Sequence, residues 1–262
     1  VFGSEYILRS TDGGRTWSDV SSRLVNGGVR GRGYSGWVAT RFAFHPTDPQ
    51  RSLFAGLDHG FGWQSRDGLR SWTRGSGLEN WFGAQEIAWS ANDHIYLACG
   101  QFGNFTGIAR SQDGGRTYTL LHGPERGLPA ANKFDGKEPR GLYCLADNPA
   151  HVWAVIGGEL YRSTNHGETW SKQECGPEPR RIAGDPRNPR RSFVTCRDGV
   201  YEAIEGGARF ARMEGSPAEG QRLTVDTLGR IYVLPWRTAN GGIWRLENNR
   251  WTRLRDDPYL QD

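Results

Sequence analysis

A chain of 262 residues with 37 glycines, 11 tryptophans and one methionine can bury a large core, yet no window sustains apolar residues at helical spacing. Helical architectures are therefore disfavoured and turn-rich β structure is expected. No apolar run reaches the roughly 18–20 residues of a membrane-crossing helix. The formal charge of +4 rests on arginine, because Lys133, Lys137 and Lys172 are the only lysines among 33 basic residues; that charge is dispersed and no helix-turn-helix, zinc-finger or RNP-type motif accompanies it, so nucleic acid is not an expected partner.

In chain order, VFGSEYILRS reads as a single strand running into the octet STDGGRTW at 10–17. The octet returns as SRDGLRSW (65–72), SQDGGRTY (111–118) and STNHGETW (163–170), then as the worn AIEGGARF (203–210) and the shortened LENNRW (246–251). Asp12, Asp67, Asp113 and Asn165 occupy its third position at intervals of 55, 46 and 52 residues, a spacing that suits four-stranded propeller blades. Each octet has the chemistry of a β-turn: a short Asp or Asn accepts from the turn's own amides, and the glycines take positive φ. The closing aromatics Trp17, Trp72, Tyr118 and Trp170 are expected to enter the core.

Ahead of the later hairpins stand paired alternating segments: RFAFHP with SLFAGLD, EIAWS with HIYLACG, GLYCLAD with VWAVIGG, RRIAGDP with SFVTC, and RLTVDT with RIYVLPW. These read as strands A and B of each blade, with the octet joining C to D. Six hairpins are thus expected in one all-β propeller domain over residues 1–262, its first blade lacking upstream strands and its full ring holding six or seven blades. Such a chain would be part of something larger.

The octet resembles the Asp-box, or bacterial neuraminidase, repeat, Ser/Thr-x-Asp-x-Gly-x-Thr-Trp. The resemblance spans roughly Ile7 to Leu254, and Asn165 departs from the pattern. It implies a propeller and places Asp12, Asp67, Asp113 and Asn165, with their aromatics, on an outer rim as structural elements. It does not imply one function: sialidases, xyloglucan hydrolases, sortilin-type receptors and photosystem assembly factors look alike in this respect.

The D-to-A connections and B-to-C turns at the opposite end are the expected binding face. They carry Arg30, Arg32, Tyr34 and Trp37; Asp58, His59 and Phe61; Trp81 and Phe82; Phe102, Asn104 and Phe105; Lys133, Phe134, Asp135, Lys137 and Arg140; and Trp236 with Arg237. Aromatic rings stack on sugar C–H faces while Asp, Asn and Arg read hydroxyls, so a glycan or a protein partner is expected. The competing reading is that these rings plug the gaps between blades.

Among functions, a non-catalytic binding or assembly module leads, and a glycoside hydrolase is the alternative. GYSGWVATRFAFHPTDP followed by AGLDHGFGW is similar to the xyloglucanase-type opening, which implies Asp58 as a catalytic carboxylate; Leu57 and Phe61 depart from that pattern. A glycosidase needs a second carboxyl group, for which Asp135 or Glu138 would have to serve. RRIAGDP is only an imperfect echo of the sialidase Arg-Ile-Pro motif. His45, His59, His94, His122, His151 and His166 lack metal-site spacing, His45 and His166 falling in turns, so neither metal nor cofactor is expected. Cys99, Cys144, Cys175 and Cys196 exclude CxxC pairs; Cys175 with Cys196 is the first disulfide candidate, buried free thiols being the other reading. The expected location is extracellular or periplasmic.

Overall fold

The computed structural model describes residues 2–3, 7–20, 39–56, 62–78, 83–99, 107–130, 138–145, 147–204, 207, 209–235 and 242–255. These form one three-stranded and five four-stranded antiparallel sheets, each a meander in which strands adjacent in sequence pair. The first sheet holds β1 (Phe2–Gly3), β2 (Ile7–Arg9) and β3 (Ser18–Asp19). The second holds β4 (Ala39–Phe44), β5 (Ser52–Gly56), β6 (Trp63–Ser65) and β7 (Thr73–Arg74), and the third β8 (Ala84–Trp89), β9 (Ile95–Cys99), β10 (Gly107–Ser111) and β11 (Thr119–Leu120). The fourth comprises β12 (Pro139–Cys144), β13 (Val152–Ile156), β14 (Glu159–Ser163) and β15 (Ser171–Gln173). The fifth is built from β16 (Arg181–Asp185), β17 (Asn188–Cys196), β18 (Gly199–Ile204) and β19 (Arg209–Arg212), the sixth from β20 (Gly220–Val225), β21 (Ile231–Pro235), β22 (Ile243–Glu247) and β23 (Arg250–Arg255).

Every expected A and B strand and all six hairpins are present. One reading is corrected: VFGSEYILRS is two strands, since Phe2 pairs with Leu8 and Gly3 with Ile7. The first sheet therefore starts on a B strand. LENNRW also differs from a true octet. Asn248 and Asn249 form a two-residue turn with φ of 51° and 60°, the doubly left-handed geometry that matches strand twist in a tight hairpin.

The chain divides into two compact units, residues 1–139 with 146–149 and residues 140–145 with 150–262. In the first unit, Ile7, Val20, Phe54, Trp63, Leu69 and Trp72 make one buried cluster, and Leu53, Ala55, Leu97, Ala109 and Tyr118 belong to a second. In the other unit, Trp153, Val155, Leu160, Ile182, Val194 and Cys196 pack together, and Phe193, Val200, Ile231, Val233 and Leu246 form a further cluster. Alternation along the strands explains this, because residues i and i+2 share a face.

The octets are hydrogen-bonded clasps. Asp12 Oδ1 accepts from the Arg15 and Thr16 amides at 3.0 and 2.9 Å, and its Oδ2 accepts the Thr16 hydroxyl at 2.6 Å. Ser10 Oγ donates to the same carboxylate at 2.8 Å and accepts the Gly14 amide at 2.7 Å. Asp67 and Asp113 repeat the pattern with Ser71 and Thr117. Asn165 keeps it with one bond reversed: its amide donates to Thr169 Oγ1 at 2.9 Å, while its carbonyl oxygen still accepts the Thr169 amide at 3.0 Å. A neutral side chain can thus close the same turn.

In the first unit, the aromatics of the second and third octets lie against the preceding sheet. Trp72 packs with Ile7 and Val20, and Tyr118 crosses Gly62 and Gly75. Trp17 corrects the expectation of burial, because it remains 48% exposed with its indole N–H on Gly14 O at 3.0 Å.

Octet chemistry makes stability depend on pH. The Thr16 hydroxyl and amide, then the Ser10 hydroxyl, hold the Asp12 carboxyl below its ordinary range. At Asp67 and Asp113 burial pushes upward, but the Ser71 and Thr117 hydroxyls and the turn amides outweigh it. A depressed folded value stabilises the fold above the unfolded carboxyl pKa of about 4, and the contribution is lost as pH falls through the folded values. The urea midpoint should therefore drop on acidification from about pH 5 to about pH 2. Asp113→Asn should flatten that dependence, and an unchanged slope would contradict the assignment.

Candidate ligand-binding face

The meander order separates the two ends of each sheet. In an antiparallel run A-B-C-D, the A-to-B and C-to-D turns share one end, and the B-to-C turns and D-to-A connections share the other. The octets are C-to-D turns, so within each sheet they lie at the end of the strands opposite to the B-to-C and D-to-A connections.

At the octet end of the first unit, the FHPTDP segment supports the next octet. Arg51 pairs with Asp93, whose backbone oxygen accepts the Gly114 amide at 3.0 Å. His45 is buried edge-on against Trp89, accepts the Thr47 amide at Nδ1 and lies with Nε2 3.5 Å from Asp93. Burial and the Arg51 charge depress its proton affinity, so it serves as a neutral packing group here. His166 takes φ 62° within the fourth octet.

Most of the residues that the sequence suggests for binding fall outside the described residues: Arg30, Arg32, Tyr34, Trp37, Asp58, His59, Phe61, Trp81, Phe82, Phe102, Asn104, Phe105, Lys133, Phe134, Asp135, Lys137, Trp236 and Arg237. Arg140 is described and is exposed near the start of β12. Glu138 lies just before that strand and is half-buried.

The strand ends that carry these loops show what the sequence reading missed. Three A strands shift register near this end, between Ala39 and Arg41, between Ala84 and Glu86, and between Gly220 and Arg222. Each inserts one extra residue, Thr40, Gln85 or Gln221, opposite a regular B strand. Such bulges re-aim a side chain without breaking the sheet. The only sequence trace is a polar residue interrupting an alternating segment.

In the second unit, the connection ECGPEPRR and the turn CRDG build a charged ledge. Arg197 donates to Glu178 at 2.6 Å, Arg180 pairs with Glu219 at 2.5 Å, and Tyr201 donates to Asp198 at 3.0 Å. Burial, then that bond to Asp198, pushes the Tyr201 phenol up to about 12. Beside this ledge the Cys175 and Cys196 sulfurs stand 3.6 Å apart as free thiols. The charge density of this short connection was the available signal. His122, on the third sheet's D-to-A connection, is buried and its proton affinity is lowered by that burial. Among the described residues, no group of three or more His, Cys, Asp or Glu side chains is placed to hold a metal ion.

Comparison with known proteins agrees with this architecture. The BNR/Asp-box repeat model matches residues 8–19 and 161–172. A xyloglucanase of Paenibacillus sp. is 25% identical over 216 residues, covering 63% of this chain and 20% of that protein. The GH74 xyloglucanase structure from Xanthomonas campestris superposes with a TM-score of 0.63 at 19% identity, over 89% of this chain and 34% of that one. YCF48 bound to D1 peptide superposes with a TM-score of 0.55 at 12% identity, over 82% of this chain and 66% of that one. The chain thus carries Asp-box repeats on propeller-type blades, and it spans about one fifth of the curated relative's length.

Proposed function

We propose that this chain is a glycan-binding β-propeller domain that acts outside the cytoplasm and holds a polysaccharide of the xyloglucan type on its D-to-A and B-to-C loops without cleaving it. The observation that carries this reading is the similarity to a xyloglucanase over 63% of the chain. Strand order supports it, because the octets are occupied as clasps at one end and leave the aromatic and arginine-rich loops at the other. Trp81, Phe105 and Trp236 supply stacking platforms in this reading, with Arg32, Asn104 and Arg237 reading hydroxyls.

A second reading has a specific point in its favour. The same relatives are xyloglucanases by name, and the resemblance of AGLDHGFGW to a xyloglucanase-type opening implies a catalytic carboxylate at Asp58. Hydrolysis would require a second carboxyl group about 5–9.5 Å away, for which Asp135 or Glu138 would have to serve.

The test is binding to xyloglucan by affinity electrophoresis, together with release of reducing ends. Retention without release is the expected result, and a combined Trp81→Ala, Trp236→Ala variant should bind at least about tenfold more weakly. Release that disappears in Asp58→Ala would replace binding by hydrolysis. No retention by xyloglucan would overturn the glycan reading and direct attention to protein partners.

A further inference from the structure

Cys175 and Cys196 are 21 positions apart in sequence, yet their sulfurs are in contact at 3.6 Å. Cys196 ends β17, where it pairs with Gly199, and is completely buried. Cys175 lies two residues beyond β15 and is partly exposed. The segment joining them is pinned on both flanks: the Arg197 amide donates to Pro177 O at 2.8 Å, and the Arg180 amide donates to Thr195 O at 2.8 Å. Arg197 and Glu178 add an ion pair at 2.6 Å. Gly176 leaves room for the Tyr201 ring, since a Cβ there would lie 2.2 Å from it. The backbone around the two thiols is therefore held before any bond forms, and a closure of roughly 1.6 Å separates contact from a disulfide near 2.05 Å.

We propose that Cys175 and Cys196 are a redox-active dithiol whose oxidation clamps the connection between the fourth and fifth sheets, at the loop-bearing end, to the end of β17. This rests on sulfur geometry and does not depend on the ligand assignment. Accessibility divides the roles. Cys175 is the attacking thiol and Cys196 the resolving one. The hydrogen bond from Cys196 draws Cys175 below the ordinary thiol range against the opposing effect of burial, and the same bond with burial raises Cys196. Cys99 and Cys144 offer a contrast, because each is fully buried and burial pushes both thiols up, Cys144 to about 12. A buried high-pKa thiol with no disulfide beside it to attack is inert, whereas Cys196 touches the sulfur that becomes electrophilic once Cys175 is oxidised.

The oxidant is a low-molecular-weight disulfide such as glutathione disulfide. The Cys175 thiolate attacks one of its sulfurs, a protein–glutathione disulfide forms and one glutathione leaves as thiolate, which takes up the proton lost by Cys175. Cys196 then releases its proton and attacks Cys175 Sγ, expelling the second glutathione. Two electrons pass from the protein sulfurs to the external disulfide, so one disulfide forms, one breaks, and both protons end on the two glutathione thiols.

The experiment equilibrates the full chain in glutathione buffers of graded poise and reads intact mass, free thiols and melting temperature. Oxidation should remove about two mass units and two reactive thiols, with peptide mapping joining Cys175 to Cys196 and leaving Cys99 and Cys144 free. Closing this loop should raise the melting temperature by roughly 5–10 °C. Cys196→Ser should trap a glutathione adduct on Cys175, and Cys175→Ser should give neither adduct nor cross-link. Four free thiols after oxidation, or a cross-link through Cys99 or Cys144, would overturn the proposal. The mapping on the unaltered chain decides this even if a serine variant fails to fold.

Discussion

Trp72→Ala should lower stability by about 3–5 kcal/mol, the usual cost of truncating a fully buried tryptophan. Trp72 is completely buried among Ile7, Val20, Phe54, Trp63 and Leu69, and it meets Phe54 edge-on with centroids 4.9 Å apart. Its indole N–H also donates to Val20 O at 3.1 Å. Truncation leaves a cavity and a carbonyl without its donor, two costs that add. Trp72→Phe refills most of the volume but not the hydrogen bond, so it should recover more than half of the loss. Urea midpoints for the two variants measure the difference. A cost below about 1 kcal/mol for alanine would mean that the site collapses around the gap. Trp17→Ala, at the same octet position but 48% exposed, should cost far less.

Gly77→Ala should destabilise by about 2–4 kcal/mol, combining an unfavourable backbone conformation with overpacking. The stretch Gly75-Ser76-Gly77 runs alongside the third octet as a parallel bridge, Ser76 to Thr117. The Ser76 amide donates to Arg116 O and the Tyr118 amide donates to Ser76 O, both at 2.9 Å. Gly77 has φ of 93°, and an added Cβ would lie 2.3 Å from Tyr118 O. That oxygen belongs to the backbone and cannot rotate away. Gly215→Ala is the matched control: φ is 68° there with open space around the Cβ position, so it should cost only the conformational share. Equal losses for the two variants, read from urea midpoints, would assign the whole effect to φ.

Much of the fold was legible because its signals are local. An Asp or Asn that collects amides three and four residues ahead leaves a pattern that survives in any chain context, and alternation marks strands whose faces are buried. Local reasoning failed where a neighbour decides the outcome. Trp17 and Trp72 occupy equivalent positions in equivalent octets, yet only Trp72 is covered, because burial depends on the sheet beside it. Gly75 and Gly77 look like ordinary loop glycines until the third octet is seen lying against them. The bulges at Gln85 and Gln221 were not legible, because they depend on pairing across strands.

By itself, the sequence determined the Asp-box repeat, the four-stranded blade, the strand order and therefore which loops share an end. These follow from hydrogen bonds and alternation within a few residues. Tertiary structure alone decided which octet aromatics are core, which glycines are irreplaceable, and that two thiols 21 positions apart touch at 3.6 Å. Those outcomes depend on distances between segments remote in the chain, which no local pattern encodes.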